Sequence, residues 1–202
     1  MMTINKLKEN LDYYIPNPKC ELEYEKDYEL VISVMLSAQC TDKRVNEVTK
    51  KLYKYELNEI ANLSLNDIEN IIMPLGSYHK KAMYIHKIAN ILITKYNSTV
   101  PNNRKSLESM PGIGRKSSNV ILSEIFNEPT FAVDTHVERV TKRLGLVNEN
   151  DTPLIIEKKL CKIFNKNDYN KINHQILLFG RYYCKAKNPL CKNCKMNCKY
   201  KK

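Results

Sequence analysis

The chain of 202 residues has no tryptophan, four phenylalanines, five glycines and eight prolines. So little glycine and proline leaves no room for collagen-like or loop-only low-complexity architecture. No apolar run approaches the roughly 20 residues that cross a bilayer. The opening Met-Met-Thr-Ile-Asn-Lys-Leu-Lys lacks the apolar stretch of a secretory signal. A soluble, cytoplasmic protein with no membrane partner is expected. Asn-Gly hairpins and alternating strand pairs are absent, which argues against a sheet. Acid is missing from one end: Cys184 to Lys202 holds seven lysines and no Asp or Glu. Arginine is scarce too, six of 33 basic residues. With Lys, Asn and Ile abundant, that bias suggests an AT-rich coding sequence, so a single surface lysine carries little weight. The seven cysteines are odd in number, with four crowded at one end, which speaks against a disulfide framework.

The net charge is +11. It points to a polyanionic partner. It is unevenly spread: Glu21 to Glu29 alternates five acids with other residues, whereas the C-terminal end is purely basic. One strongly basic pole suits a phosphate backbone.

Hydrophobic content of 43% is ordinary for a globular chain. Its period is helical. Tyr78, Ala82, Ile85, Ala89, Leu92 and Tyr96 form one stripe, and Val45, Val48 and Leu52 another. Val137, Val140 and Leu144 continue the pattern, as do Ile156, Leu160 and Ile163. Leu30 to Leu36 is almost wholly apolar and reads as a central buried helix. Ser64 and Thr152-Pro153 mark helix starts, Pro74 a stop, and Gly145 and Gly180 positions just past helix ends. An all-α fold of nine or ten helices is predicted.

Residues 110–116 read Met-Pro-Gly-Ile-Gly-Arg-Lys, followed downstream by Val133-Asp134-Thr135-His136. The first run is a tight turn whose glycines can take positive φ and leave N–H groups open to a phosphate. A helix over 116–126 would add partial positive charge from its N-terminal end. Lys116 can therefore pair with a phosphate, or act as an amine nucleophile that forms a Schiff base. Asp134 can be a helix N-cap or a catalytic carboxylate. Because Thr135 and Glu138 fit a capping box, Asp134 is predicted to be free for other work. His136 reads as structural. Cys184, Cys191, Cys194 and Cys198 can close around one metal centre, and their spacing does not separate zinc from iron–sulfur. Cys20, Cys40 and Cys161 read as ordinary thiols.

Together with Leu36-Ser-Ala-Gln39, these motifs resemble, in order and approximate spacing over nearly the whole chain, those of the endonuclease III family of DNA glycosylases. The resemblance implies a six-helix domain over 21–130 with a helix-hairpin-helix at about 105–126. A second helical domain, 1–20 plus 131–202, would carry a [4Fe–4S] cluster loop at 184–198. A catalytic cleft is expected between the domains. The implied activity is removal of oxidised pyrimidines and lyase cleavage of the abasic site, by a monomer acting on damaged or abasic double-stranded DNA in the nucleoid.

In that reading the Lys116 amine attacks C1′ of the sugar, and the Schiff base permits β-elimination of the 3′-phosphate. The amine must be neutral to attack, which burial, Arg115 and the helix's positive end would favour. Asp134 stabilises charge on the sugar. Gly112 and Gly114 offer N–H groups to phosphates, as Lys185 and Lys187 offer side chains. Gln39 fills the gap left by a flipped base. The family's apolar second wedge falls on Ser77, which cannot intercalate, so either Tyr78 or Leu75 substitutes or the wedge is weak. Three residues separate Cys194 from Cys198 where the family has five, so the final turn must differ. The alternatives are a glycosylase of the same fold for mismatched adenine, and a non-catalytic helix-hairpin-helix module. Lys116 argues against the first, and so does a chain ending at Lys202 without the extra recognition domain of such relatives.

Overall fold

The computed structural model describes residues 3–200; Lys201 and Lys202 of the basic tail lie outside them. The described residues are helical and loop, with no strand. The chain divides into two compact units, Cys20–Phe126, and Met1–Lys19 with Asn127–Lys202.

The continuous unit holds α2 (Asp27–Leu36), α3 (Asp42–Leu52), α4 (Leu57–Asn62), α5 (Leu65–Ile72), α6 (Tyr78–Tyr96), α7 (Arg104–Glu108) and α8 (Arg115–Phe126). Helix α2 is its axis. Every residue from Tyr28 to Leu36 is buried, which is why this stretch shows no polar face. Glu29 is buried there because its Oε2 accepts the N–H groups of Glu25 (2.7 Å) and Lys26 (3.1 Å), satisfying the helix start. The stripes of α3 and α6 supply Val45, Val48, Leu52, Ala82, Ile85, Ala89 and Leu92 to the same core. Ser64 caps α5 by accepting from Asp67 N at 3.1 Å, and the helix stops at Ile72, ahead of Pro74.

The discontinuous unit holds α1 (Ile4–Tyr14), α9 (Thr135–Arg143), α10 (Pro153–Ile163), a 3₁₀ turn (Lys166–Asp168) and α11 (Tyr169–Tyr182). The stripes of α9 and α10 meet Phe131, Ile172, Ile176 and Phe179 in its core. Helix α1 is tied to the C-terminal third by polar contacts: Lys8 to Asp168 at 2.8 Å, Lys171 to Asp12 at 2.6 Å, and Gln175 to Asp12 at 2.8 Å.

Eleven α-helices among the described residues exceed the nine or ten expected. Helices α4 and α7 run only six and five residues, too short for a 3.6-residue period to register. A second correction concerns Gly180. It does not follow a helix but lies inside α11, against α9. A Cβ there would stand 2.9 Å from Val140 Cγ2, 3.0 Å from His136 Cβ and 3.2 Å from the His136 carbonyl oxygen. The glycine is therefore set by helix-to-helix approach. Gly180→Ala gains about 1 kcal/mol of helix propensity and meets overpacking of about 1–3 kcal/mol against atoms that include backbone. The expected net result is a folded protein with a lower Tm, measurable by a calorimetric melt; an unchanged or higher Tm would mean α9 yields at little cost.

Candidate functional site

The hairpin of α7 and α8 is built around Met110-Pro-Gly-Ile-Gly114. Met110 and Ile113 turn inward and are buried, and Ile113 N–H donates to Met110 O at 3.2 Å, closing the turn. That leaves Gly112 on the outside with φ +79°, where an added Cβ would strike Met35 and Tyr84 at 2.8 Å. Gly114 does not take positive φ, so only one of the two glycines uses its conformational freedom here. The hairpin legs are clamped by Arg104 Nη2, which donates to buried Asn119 Oδ1 at 2.7 Å. Helix α8 starts at Arg115, so its first-turn N–H groups face the exposed turn.

Lys116 is in that first turn, half-buried. Its charge is felt by Cys20, whose thiol is pushed up to about 12, first by burial and next by the Glu124 carboxylate. Cys20 is thus protonated near neutrality and is no competing nucleophile.

The structure corrects the expectation for Asp134. It is the N-cap of α9, with extended backbone (φ −104°, ψ −177°). Its Oδ1 accepts the N–H groups of His136 (2.9 Å) and Val137 (2.8 Å). Thr135 is already helical, so the capping box it was expected to begin does not form. Glu138 instead holds Lys142 at 2.6 Å. Both capping bonds fall on one oxygen; among the described residues no donor reaches Oδ2. The cap fixes the carboxylate and leaves one oxygen available.

Gln39 and Ser77 are exposed and share a backbone feature, left-handed φ of +58° and +57°. Such values in non-glycine residues carry strain and occur often at ligand-holding positions. Leu75, one candidate from its place in the loop for the apolar wedge, is only 1% exposed and belongs to the core. Tyr78 is half-buried, its ring 4.0 Å from that of His79.

The four C-terminal cysteines line one pocket. Apolar residues, among them Leu144, Phe179, Leu190 and Met196, make much of its wall. Within the short Cys194–Cys198 link, Met196, 1% exposed, packs into the core of its unit. Among the described residues no three His, Cys, Asp or Glu side chains are gathered to hold a single metal ion. Two arginines of α9, which the sequence did not single out, organise the loop. Arg139 Nε donates to Cys184 O (3.1 Å) and its Nη2 to Gly180 O (2.8 Å). Arg143 Nη1 donates to Lys185 O (2.8 Å) and reaches Cys184 Sγ at 3.4 Å, while its guanidinium lies 4.0 Å over the Tyr200 ring. Their i, i+4 spacing was the only available signal. From α1, Tyr14 OH accepts Lys195 N–H (2.8 Å), and Asn10 donates to Lys195 O (3.2 Å). The loop is thus held from below, with Lys185 and Lys187 exposed above it.

Residues 32–166 match the model of the HhH-GPD superfamily of base excision DNA repair proteins. Endonuclease III of Rickettsia felis is 44% identical over 201 residues, covering 98% of this chain and 94% of that protein. Endonuclease III of Bacillus subtilis is 44% identical over 181 residues, covering 89% and 83%. Among solved structures, a trapped covalent intermediate of endonuclease III with DNA superposes with a TM-score of 0.91 at 41% identity, covering 97% of this chain and 94% of that one.

Proposed function

Because this chain belongs to the endonuclease III family of HhH-GPD base excision DNA repair proteins, we propose that it removes oxidised pyrimidines from DNA and cleaves the resulting abasic site as a lyase. The observation that carries the reading is Lys116, an amine in the first turn of α8 behind the glycine turn, in a chain so closely similar to a protein that forms a covalent DNA intermediate.

In this mechanism the Lys116 amine attacks C1′ as the glycosidic bond breaks, so the base leaves with the bonding pair. Asp134, held by its Oδ1 cap, offers Oδ2 to the positive charge that develops on the sugar. The sugar ring then opens, C1′–O4′ breaking with the electron pair to O4′, to give a protonated imine that acidifies the C2′ proton, and β-elimination expels the 3′-phosphate. Water regenerates the lysine. Gln39 occupies the gap left by the flipped nucleotide. The N–H groups at Gly112 and Gly114 and the side chains of Lys185 and Lys187 take phosphates. The test is a panel of duplexes, each with one oxidised pyrimidine, assayed for base release and for borohydride-trapped adduct. Base release without adduct points to a monofunctional glycosylase, and binding with neither product to a non-catalytic module.

We further propose that Cys184, Cys191, Cys194 and Cys198 hold a [4Fe–4S] cluster. A thiolate-only set suits zinc or iron–sulfur. Zinc, however, requires four sulfurs each about 2.3 Å from one point. All four thiols line one pocket, and membership of the endonuclease III family supports the cluster. When bound, the cluster supplies a cross-link that pins the C-terminal loop. Purified protein is expected to contain about four irons per chain, and Cys198→Ser to lose iron and melt earlier. One zinc without iron would overturn the assignment.

The proposed phosphate contacts have their own readout. Each neutralised phosphate contributes about 0.9 to the log–log salt slope of binding. Replacing Lys185 and Lys187 together by alanine should lower that slope by roughly one to two units, with turnover at saturation little changed. A full slope in the double variant would place the DNA path elsewhere.

A further inference from the structure

Lys81 has no role in the mechanism above, yet its residue is only 6% exposed, on α6. A lysine amino group so placed must find polar partners. Lys81 Nζ donates to Ala38 O at 3.0 Å and reaches Cys40 Sγ at 3.2 Å, both beyond the C-terminal end of α2. There the helix's carbonyl end favours a cation. Ala38 O belongs to the peptide unit directly before Gln39. Turning that peptide changes φ of Gln39, the left-handed residue at +58°. On the other side, Cys40 N–H donates to Ser37 O at 3.1 Å. The turn is therefore closed by one backbone bond and anchored by one lysine.

The same residue reaches the second left-handed tip. Lys81 N–H donates to Ser77 O at 3.1 Å, within the first turn of α6. One residue thus ties together, by backbone at one end and side chain at the other, Gln39 and Ser77, two of the six non-glycine residues with positive φ among the described residues. Strained conformations of this kind persist only where their surroundings over-determine them.

We propose that Lys81 is a positioning residue that locks the Ala38–Gln39 peptide and so presents Gln39 to DNA. The inference rests on the reading that Gln39 occupies the gap in the duplex. Lys81 itself touches neither DNA nor the reacting sugar. Its loss therefore weakens engagement of duplex lesions and spares the chemical step.

The test compares Lys81→Met, which keeps length and loses the donor, with Gln39→Ala and wild type. Three readouts separate positioning from mere folding. On duplex carrying an oxidised pyrimidine, Lys81→Met should raise KM on the order of tenfold, as expected for one lost hydrogen bond from a charged donor, with kcat little changed. With 2-aminopurine opposite an abasic site, the fluorescence change on binding should fall as it does in Gln39→Ala. On a single-stranded abasic oligonucleotide, which has no gap to fill, Lys81→Met should match wild type. Normal KM and fluorescence in Lys81→Met, beside a defective Gln39→Ala, would overturn the proposal and leave the glycosylase reading intact. A fully active Gln39→Ala would remove the proposal with its premise. A wild type without turnover or trapped adduct is the separate failure of the glycosylase reading. Should Lys81→Met not fold, NMR of the wild-type lysine Nζ groups decides: a slowly exchanging Lys81 signal that persists on lesion DNA supports the lock, and one averaged like an exposed lysine refutes it.

Discussion

Lys116→Gln is expected to form no borohydride-trapped adduct with abasic DNA while wild type traps readily. The difference is all-or-none because the glutamine amide nitrogen is delocalised into its carbonyl and cannot form an imine. Strand cleavage at abasic sites should fall to the level without enzyme, since β-elimination depends on that imine. The change is gentle on the fold: Lys116 is half-buried in the first turn of α8, an element held by Arg104–Asn119 and the Met110–Ile113 turn. Binding to undamaged duplex should survive, minus at most one phosphate contact of about 0.9 in salt slope. Adduct persisting in Lys116→Gln would transfer the nucleophile to another amine. Lost binding with the fold intact would make Lys116 a phosphate ligand, the other job open to a lysine behind a glycine-rich turn.

Legibility in the sequence followed physical range. Long amphipathic helices declare themselves through period, so the stripes of α3, α6, α9 and α10 are core where expected. Cys184, Cys191, Cys194 and Cys198, singled out by type and spacing, line one pocket, although among the described residues no three of them gather on a single point. What failed depended on a single residue of register or on a tertiary neighbour. Thr135-x-x-Glu138 matches a capping box, but the chain enters the helix one residue earlier and Glu138 prefers Lys142. Gly180 follows an apolar run as a helix-ending glycine would, and only Val140 of α9, 2.9 Å from where a Cβ would stand, reveals its purpose. Arg139, Arg143 and Lys81 act on carbonyls more than 40 residues away, a relation no local pattern encodes. Lysine abundance hid Lys81 further, since nothing in the sequence separates it from its exposed neighbour Lys80.

Asp134→Asn is expected to lose turnover on the order of 10²- to 10⁴-fold, the range for a positioned ionisable group in a transition state, while keeping the fold. The substitution separates two roles that the structure combines in one side chain. As a cap, Asp134 needs only an acceptor at Oδ1 for His136 and Val137. Asparagine provides it almost equally well, whereas alanine removes it at about 1 kcal/mol. As a chemical group, Asp134 needs negative charge at Oδ2, which asparagine cannot supply. Asp134→Asn should therefore melt close to wild type, less a few tenths of a kcal/mol from the lost charge at the positive end of α9. Asp134→Ser, another good cap without charge, should match it in both respects. Asp134→Ala should lose stability and turnover together. Asparagine and serine variants with wild-type turnover would reduce Asp134 to a helix cap and remove the carboxylate from the mechanism. If both instead melt early and lose turnover in proportion to stability, the defect is that of α9, and the charge has no separate role. A folded, DNA-binding, inactive Asp134→Asn is the one combination that requires the carboxylate at the sugar.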